Sequence, residues 1–432
     1  MLSHQPKIVA SNTELPARVD TAIIGGGIAG VTTALELVEQ GQTVALFEKG
    51  ILAGEQSGRN WGWCRQMGRD AREIPLSNIS LDLWRKMDAR TGEKTGFVEC
   101  GIAYLCATDE QFETRRQWFE NQAVPHELST RILSSREANA ISGGSLIPWV
   151  GGLMTSDDGR AEPQLAVPAI ASAVLKHGGT IHQQCAVRTI ELEAGRVSSV
   201  VTEKGEVRCK NVVLAAGAWS HRFLRNMSIR LPQLTVRNSA MRTASVEVDL
   251  PHSIAGGGLA FRKRLDGGFT VADDSYNTVD IIPDSFRYFG DFLPTLKTDW
   301  RDFKFRFGRR FFEEAGWPTS WAADDVTIFE KVRQIDVKPD KALLNAAEKI
   351  LRKRHPAFKN VPIVERWAGG IDVVPDVVPV ISHLPDIEGV FVATGFSGHG
   401  FGLGPGAGKL MAQLVLGDET CVDPNPFRFD RF

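Results

Sequence analysis

Val19-Asp20-Thr21-Ala22-Ile23-Ile24 runs straight into Gly25-Gly26-Gly27-Ile28-Ala29-Gly30, and the reading of this junction decides the fold. Beyond the glycines, Ile28, Val31, Leu35 and Val38 recur at helical spacing. The order is strand, tight glycine turn, helix. Gly41 ends the helix, Thr43 to Phe47 reads as a second buried strand, and Glu48 and Lys49 stand at its end. In such a unit Gly25 permits the sharp turn, Gly27 lets the backbone approach a pyrophosphate, and Gly30 allows helix and strand to pack closely. The phosphates meet the N–H groups opening the helix at Ile28 and Ala29, at the positive end of its dipole. Glu48, 18 residues after Gly30, is placed to accept hydrogen bonds from a ribose. This G-x-G-x-x-G is the only one in the chain, so no second nucleotide site is expected to deliver hydride.

The bulk numbers fit a small-molecule enzyme. The chain has 432 residues, 43% hydrophobic and 24% charged, with a formal charge of −2, which gives no basic excess for a nucleic-acid surface. The six cysteines form no C-x-x-C pair, so reduced thiols and no metal site are expected. Met1 to Pro16 lacks a signal-peptide pattern, and no apolar run approaches the roughly 20 residues of a membrane span. The expected location is the cytoplasm.

Distant segments add to the dinucleotide reading. Asn211 to Ser220 is a buried strand entering a small-residue turn at Ala215, Ala216 and Gly217, followed by Trp219. Gly389 to Gly395 repeats this logic, with a helix expected from about Gly406, over Ala407 to Leu416. Gly395-Phe396-Ser397-Gly398-His399-Gly400-Phe401 and its continuation Gly402-Leu403-Gly404-Pro405-Gly406-Ala407-Gly408 resemble the flavin-facing segment of sarcosine oxidases. Arg366-Trp367-Ala368-Gly369 with Pro375-Asp376 and Pro379, and Asp157-Asp158-Gly159-Arg160-Ala161-Glu162-Pro163, are similar to further signatures of the same family. The chain thus resembles, from Thr21 to Leu416, the FAD-dependent D-amino-acid, sarcosine and glycine oxidases.

That resemblance implies an α/β fold: a doubly wound, Rossmann-like FAD-binding domain with an inserted antiparallel-sheet substrate domain. The expected division is 17–60, 151–230 and 361–425 for FAD, and 61–150 and 231–360 for substrate. Independently, Glu99 to Ala107, Gly151 to Thr155, Thr235 to Val248, Phe269 to Val271 and Thr327 to Asp336 read as strands outside the dinucleotide pattern. Pro163 to His177 reads as a helix and Thr180 to Val187 as a strand. The basic, phenylalanine-rich run Arg301 to Phe312 reads as an amphipathic helix packed over the substrate sheet, with a membrane or electron-acceptor docking surface as the alternative.

The resemblance implies hydride transfer from a substrate α C–H to flavin N5, giving an imine that hydrolyses, with oxygen or another acceptor taking the electrons. Besides the residues of the first junction, it implies cofactor contacts at Arg59, Asn60, Trp61, Val187, Ala216, Gly217, Trp219, Gly370, Gly398, His399, Gly400, Gly402 and Leu403. Trp61, Trp63, Trp219 and Phe401 are candidate pocket walls. Three departures stand out. Gly402 replaces a family lysine, Ile371-Asp372 falls where many relatives carry arginine, and Thr270 aligns with an oxygen-activating lysine. No cysteine lies between Cys209 and Cys421, so FAD is expected to be non-covalent. Arg59 and Arg65 are then candidates to grip a carboxylate, Asp372 to attract a cationic group or simply brace a turn, and His399 to act beside the flavin. An amino acid or amine with a second cationic or polar group is the expected substrate. A hydroxy-acid dehydrogenase and a flavin-binding electron-transfer subunit are the alternatives.

Overall fold

Arg18–Ile24 lies inside a sheet of eight strands. The computed structural model describes residues 4–274, 276–300, 303–335 and 337–432. The order is Val187–Glu193, Arg196–Thr202, Gly205–Leu214, Arg18–Ile24, Val44–Phe47 and Thr180–His182. Val390–Thr394 also pairs with Gly205–Leu214, and Val380–His383 lies outside it. Ile24 sits opposite both Leu214 and Phe47, and Leu214 opposite Val392, all in parallel register. Four strands therefore end together, and a crevice at their carboxyl ends is where open α/β sheets bind ligands. Ala22, Ile23, Leu46 and Val213 are wholly buried, as expected of parallel strands covered on both faces.

One face is covered by the helices Ile28–Glu39, Pro163–Lys176 and Gly400–Leu416. The last starts at Gly400, six residues before the expected position, because its glycines serve packing rather than a loop. A Cβ on Gly404 would stand 2.3 Å from Ile28 Cγ1, and one on Gly408 2.5 Å from Thr32 Oγ1. The two helices touch backbone to side chain, and Thr32 Oγ1 donates to the Gly404 carbonyl at 2.9 Å.

The second sheet has ten strands and is mostly antiparallel. Its spine is the pair Leu234–Thr243 and Ile363–Val373, in one register from Leu234 opposite Val373 to Arg242 opposite Glu365, with a bulge before Thr243 opposite Ile363. Two strands depart from the expected division: Gly151–Thr155 and Ile363–Val373, assigned to the FAD part, pair within this sheet. Conversely the helix Ile74–Thr91 puts Leu76, Leu81 and Trp84 into the core of the dinucleotide part, although it falls in the expected substrate range.

Two local readings are corrected. Thr327 begins a helix, Ile328–Lys331, because Thr327 and Glu330 form a capping box; Asp336, the end of the strand expected there, lies outside the described residues. The Arg301 to Phe312 run is not one helix. Phe303–Arg306 is a strand parallel to Asn277–Asp280, Gly308 is extended, and Arg309–Ala315 is a short helix. Arg301 also lies outside the described residues.

Candidate functional site: a cavity between the two sheets

The strand ends and the spine of the second sheet enclose a cavity of about 490 Å3. It starts at the first glycine turn. Gly25 has φ +116°, and a Cβ there would lie 2.3 Å from the Ala215 carbonyl oxygen, so only glycine admits the turn. A Cβ on Gly30 would stand 2.0 Å from the Gly25 oxygen, the close packing expected of it. Gly27 precedes the helix Ile28–Glu39 without a side-chain cap of its own. A Cβ on Gly27 would meet only Ser57 Oγ, at 3.1 Å, and Ser57 Oγ accepts from the Ile28 N–H. The carboxylate of Glu48 accepts from the N–H groups of Gly26 at 2.8 Å and Gly50 at 2.6 Å, and its removal from bulk water pushes its pKa up.

Gly25, Gly27, Ile28, Ala29, Glu48, Lys49, Arg59, Asn60, Trp61, Arg65, Val187, Ala216, Gly217, Trp219, Gly370, Asp372, Gly398, His399 and Gly400 all line this cavity, as do Trp63 and Phe401. Gly30, Gly402 and Leu403 do not. Gly402 lies behind the wall, where its carbonyl accepts from Ser80 Oγ at 2.6 Å and Trp84 Nε1 at 3.0 Å, and Leu403 is core. Thr270 is also away from it, accepting from Arg264 Nη1 at 3.2 Å.

Several expected contacts are braces as well. Lys49 Nζ donates to Val332 O at 3.0 Å, Arg333 O at 2.8 Å and Glu55 Oε1 at 3.2 Å, and sits 4.3 Å above the Trp219 ring. Arg59 donates to the carbonyls of Gly54 and Ala368, and Asn60 Oδ1 accepts from the Gly62 N–H. Asp372 is 2% exposed. Its Oδ2 accepts from the Gly395 N–H at 2.8 Å, Gln233 Nε2 at 2.9 Å and Thr394 Oγ1 at 3.3 Å, so it ties the end of its strand to the Gly395 turn. Burial pushes its pKa up.

The far wall carries the charges. His399 Nδ1 lies 3.0 Å from both carboxylate oxygens of Glu73. Burial first, then the neighbouring Arg69, pulls its pKa down to about 4. At neutral pH the ring is therefore uncharged, Nδ1–H donates to Glu73, and Nε2 remains an acceptor. Arg69, which the sequence reading missed, is 3% exposed and its Nη1 has no partner. Its Nε donates at 3.4 Å to the Arg65 carbonyl. Burial and Arg65 pull its pKa down to about 9. Arg65, Arg69 and Arg115 gather around Tyr104 and make no ion pair among the described residues. Asp273, Asp274, Tyr276 and Asn277 line the cavity from the second sheet. Only the Phe269 to Val271 reading pointed there, and it stopped two residues short of Asp273.

The donor set fits a dinucleotide bearing a flavin. Backbone is bare toward the cavity at Gly27 and again at Gly398, where a Cβ would meet only the Ile371 side chain, at 3.6 Å. His399 adds no side-chain cap to the helix that follows it.

Comparison with known proteins agrees. The model of the FAD dependent oxidoreductase (DAO) family matches residues 20–414. An L-amino acid deaminase from Proteus myxofaciens, solved with anthranilate, is 33% identical with a TM-score of 0.95, covering 100% of this chain and 97% of its own. The L-amino acid deaminase from Proteus vulgaris is 30% identical with a TM-score of 0.94, covering 99% and 100%. Glycine oxidase from Pseudomonas aeruginosa is 25% identical over 94% of this chain and 97% of its own length. Other curated relatives are longer: the chain spans 42% of the Mus musculus pyruvate dehydrogenase phosphatase regulatory subunit and 46% of 4-methylaminobutanoate oxidase from Paenarthrobacter nicotinovorans. With its strand, glycine turn and helix, its second sheet over the strand ends and a family match along nearly its whole length, the chain belongs to the FAD-dependent oxidoreductase family and uses FAD.

Proposed function

We propose that this protein oxidises the carbon–nitrogen bond of an L-amino acid to an imine, which water hydrolyses to a 2-oxo acid and ammonia. The observation that carries this reading is the single cavity that joins the dinucleotide turn to Arg65 and Arg69, two guanidinium groups without a carboxylate partner among the described residues. Planar guanidinium suits a substrate carboxylate. FAD, when bound non-covalently along Gly25 to Ala29, Glu48, Val187, Ala216 to Trp219 and Gly398 to Gly400, supplies an acceptor for the hydride of the α-carbon.

The chain itself does the positioning. The arginines orient the carboxylate and so direct the α C–H, while Trp61, Trp63 and Phe401 exclude water. Neutral His399, held by Glu73, adds no positive charge that would oppose binding of an amine. Asp273 and Asp274, which line the cavity from the second sheet, support a second polar or cationic group on the substrate, basic side chains foremost, while Asp372 serves as a brace of the Gly395 turn. The names of the two Proteus relatives support the L configuration and the release of ammonia. We place the protein in the cytoplasm, with oxygen or another acceptor taking the electrons; no helix among the described residues is long and apolar enough to cross a membrane.

The test is anaerobic flavin bleaching over L- and D-amino acids, N-methyl amino acids, polyamines and 2-hydroxy acids, followed by ammonia measurement. L-Amino acids should bleach the flavin and release ammonia in equal amount, arginine and lysine fastest. Bleaching by 2-hydroxy acids alone would overturn the reading.

A further inference from the structure

Glu73, at the start of the helix Ile74–Thr91, is wholly buried behind the cavity wall. A buried carboxylate is costly unless something beside it answers its charge. Burial pushes the Glu73 carboxyl up, but the His399 ring and Arg69 outweigh that and hold it below its ordinary value, so it is ionised at neutral pH. Both of its oxygens lie 3.0 Å from His399 Nδ1, and it makes no ion pair with an arginine among the described residues. The charge is thus aimed at one ring nitrogen. An ionised acceptor at Nδ1 keeps the proton there and leaves a lone pair at Nε2, as a carboxylate behind a catalytic imidazole sets its tautomer.

The ring is the exposed member of the pair. The His399 side chain is 17% exposed and that of Glu73 0%. His399 lines the cavity, and its Nε2 has no partner among the described residues. Arg65 and Arg69 line the same cavity, and after burial both lower the pKa of the ring, so they stand close to it. An uncharged hydrogen-bond acceptor therefore lies beside two guanidinium donors that lack a carboxylate. That is the complement of an α-amino acid, whose carboxylate accepts and whose nitrogen donates from one carbon.

On the reading of the cavity as an amino acid oxidase site, on which this rests, we propose that Glu73 holds His399 in the tautomer whose Nε2 accepts from the substrate's amino group. The pair grips the nitrogen while the arginines grip the carboxylate. This contact strengthens as the neutral amine reacts. When the α C–H bond breaks and its electron pair leaves as hydride for FAD, the nitrogen lone pair closes the C=N bond, and positive charge gathers on the N–H that Nε2 accepts. An uncharged acceptor favours that state, whereas an imidazolium would oppose it. The ring does not take the proton itself: with its pKa pulled down to about 4, it is too weak a base to hold one at neutral pH.

The test uses two ligands of one shape, 2-methylalanine and pivalate, which differ in an amino group against a methyl and have no α C–H to give up. Their binding to the holoprotein is read from the perturbed flavin spectrum. The unmodified protein should prefer 2-methylalanine by about tenfold, the worth of one hydrogen bond. Glu73→Gln, whose amide can donate to Nδ1 and leave the proton on Nε2, should lose that preference, as should His399→Ala, both keeping their flavin and their affinity for pivalate. With an L-amino acid that bleaches the flavin, kcat of Glu73→Gln should fall about tenfold as well. Ring 15N spectra should place the His399 proton on Nδ1 in the unmodified protein and on Nε2 in Glu73→Gln. If L-amino acids bleach the flavin, equal affinity for the two ligands, a preference that survives in both variants, or a proton on Nε2 in the unmodified protein would overturn the proposal and leave the amino acid reading standing. If none bleaches it, both fall together.

Discussion

Replacing Gly408 by alanine sets two physical effects against each other. In an isolated helix the change stabilises by about 1 kcal/mol. Here the new Cβ would stand 2.5 Å from Thr32 Oγ1, 2.6 Å from Thr32 Cβ and 2.7 Å from the Thr32 carbonyl carbon. Normal carbon contacts lie at about 3.5–4.0 Å, so the two helices must part by about 1 Å. Overpacking of this kind costs about 1–3 kcal/mol. The Thr32 hydroxyl, with its one proton, keeps the Ile28 carbonyl at 2.7 Å and loses only its share in the Gly404 carbonyl at 2.9 Å, at about 0.5 kcal/mol. The net is a destabilisation of roughly 1.5 kcal/mol. Because Thr32 lies one turn above the Ile28 N–H, the phosphate end of the helix moves with it, and FAD should dissociate faster. The assay is urea unfolding of the holoprotein, followed by flavin fluorescence and far-UV circular dichroism, with the FAD off-rate measured separately. A variant more stable than the parent, by the propensity alone, would refute the argument that this glycine exists for contact between helices.

Gly27→Val should purify without flavin, since its branches meet Ser57 Oγ and occupy the space left for the pyrophosphate; the ratio of absorbance at 450 and 280 nm reads this out. Arg69→Lys should raise KM for L-amino acids by about tenfold to a hundredfold, or about 1.4–2.7 kcal/mol, and affect an amine analogue lacking the carboxylate far less. His355 is buried against Phe261 and Phe358 with Nε2 unpartnered, and burial pulls its pKa down to about 4. The folded state thus binds fewer protons than the unfolded one between about pH 6.5 and 4. Stability is full above that window and falls, by up to about 1.4 kcal/mol per pH unit, as the pH drops through it. His355→Leu should shrink the difference in urea midpoint between pH 8 and pH 5.

The cofactor half of the site was legible because its signals are local. A strand, three spaced glycines and an acid occupy fewer than 40 consecutive residues, and the structure brings Gly25, Gly27, Ile28 and Glu48 to one cavity. The proposed substrate half is assembled from side chains on separate strands, a helix and loops, so Arg69, Tyr104, Arg115 and Asp273 meet only once the second sheet forms. No spacing in the sequence announces them. Other errors had readable causes. Thr327-Ile328-Phe329-Glu330 carries a capping box that outweighs its β-branched residues. The glycines from Gly400 to Gly408 looked like a loop because what they accommodate, Ile28 and Thr32, lies far away in sequence. The Arg301 to Phe312 run did not follow one helical pattern, since Phe303–Arg306 is a strand, Arg309–Ala315 a short helix, and Phe305, Phe307 and Phe312 are exposed along with most of the basic residues.

The pairing of the first helix with the last also bears on synthesis. Ile28–Glu39 has ten buried residues, from Ile28 to Val38, and the helix that seals them begins roughly 370 residues later. At about 5–20 residues per second, the ribosome needs about 20–75 s to supply that partner. For all that time the growing chain carries an apolar helix covered only in part, first by Arg18–Ile24 and Val44–Phe47 and later by Pro163–Lys176. The stripe that faces Gly400–Leu416 stays open to water until the last helix is made, so a chain stopped short of Gly400 exposes apolar surface that the finished fold buries.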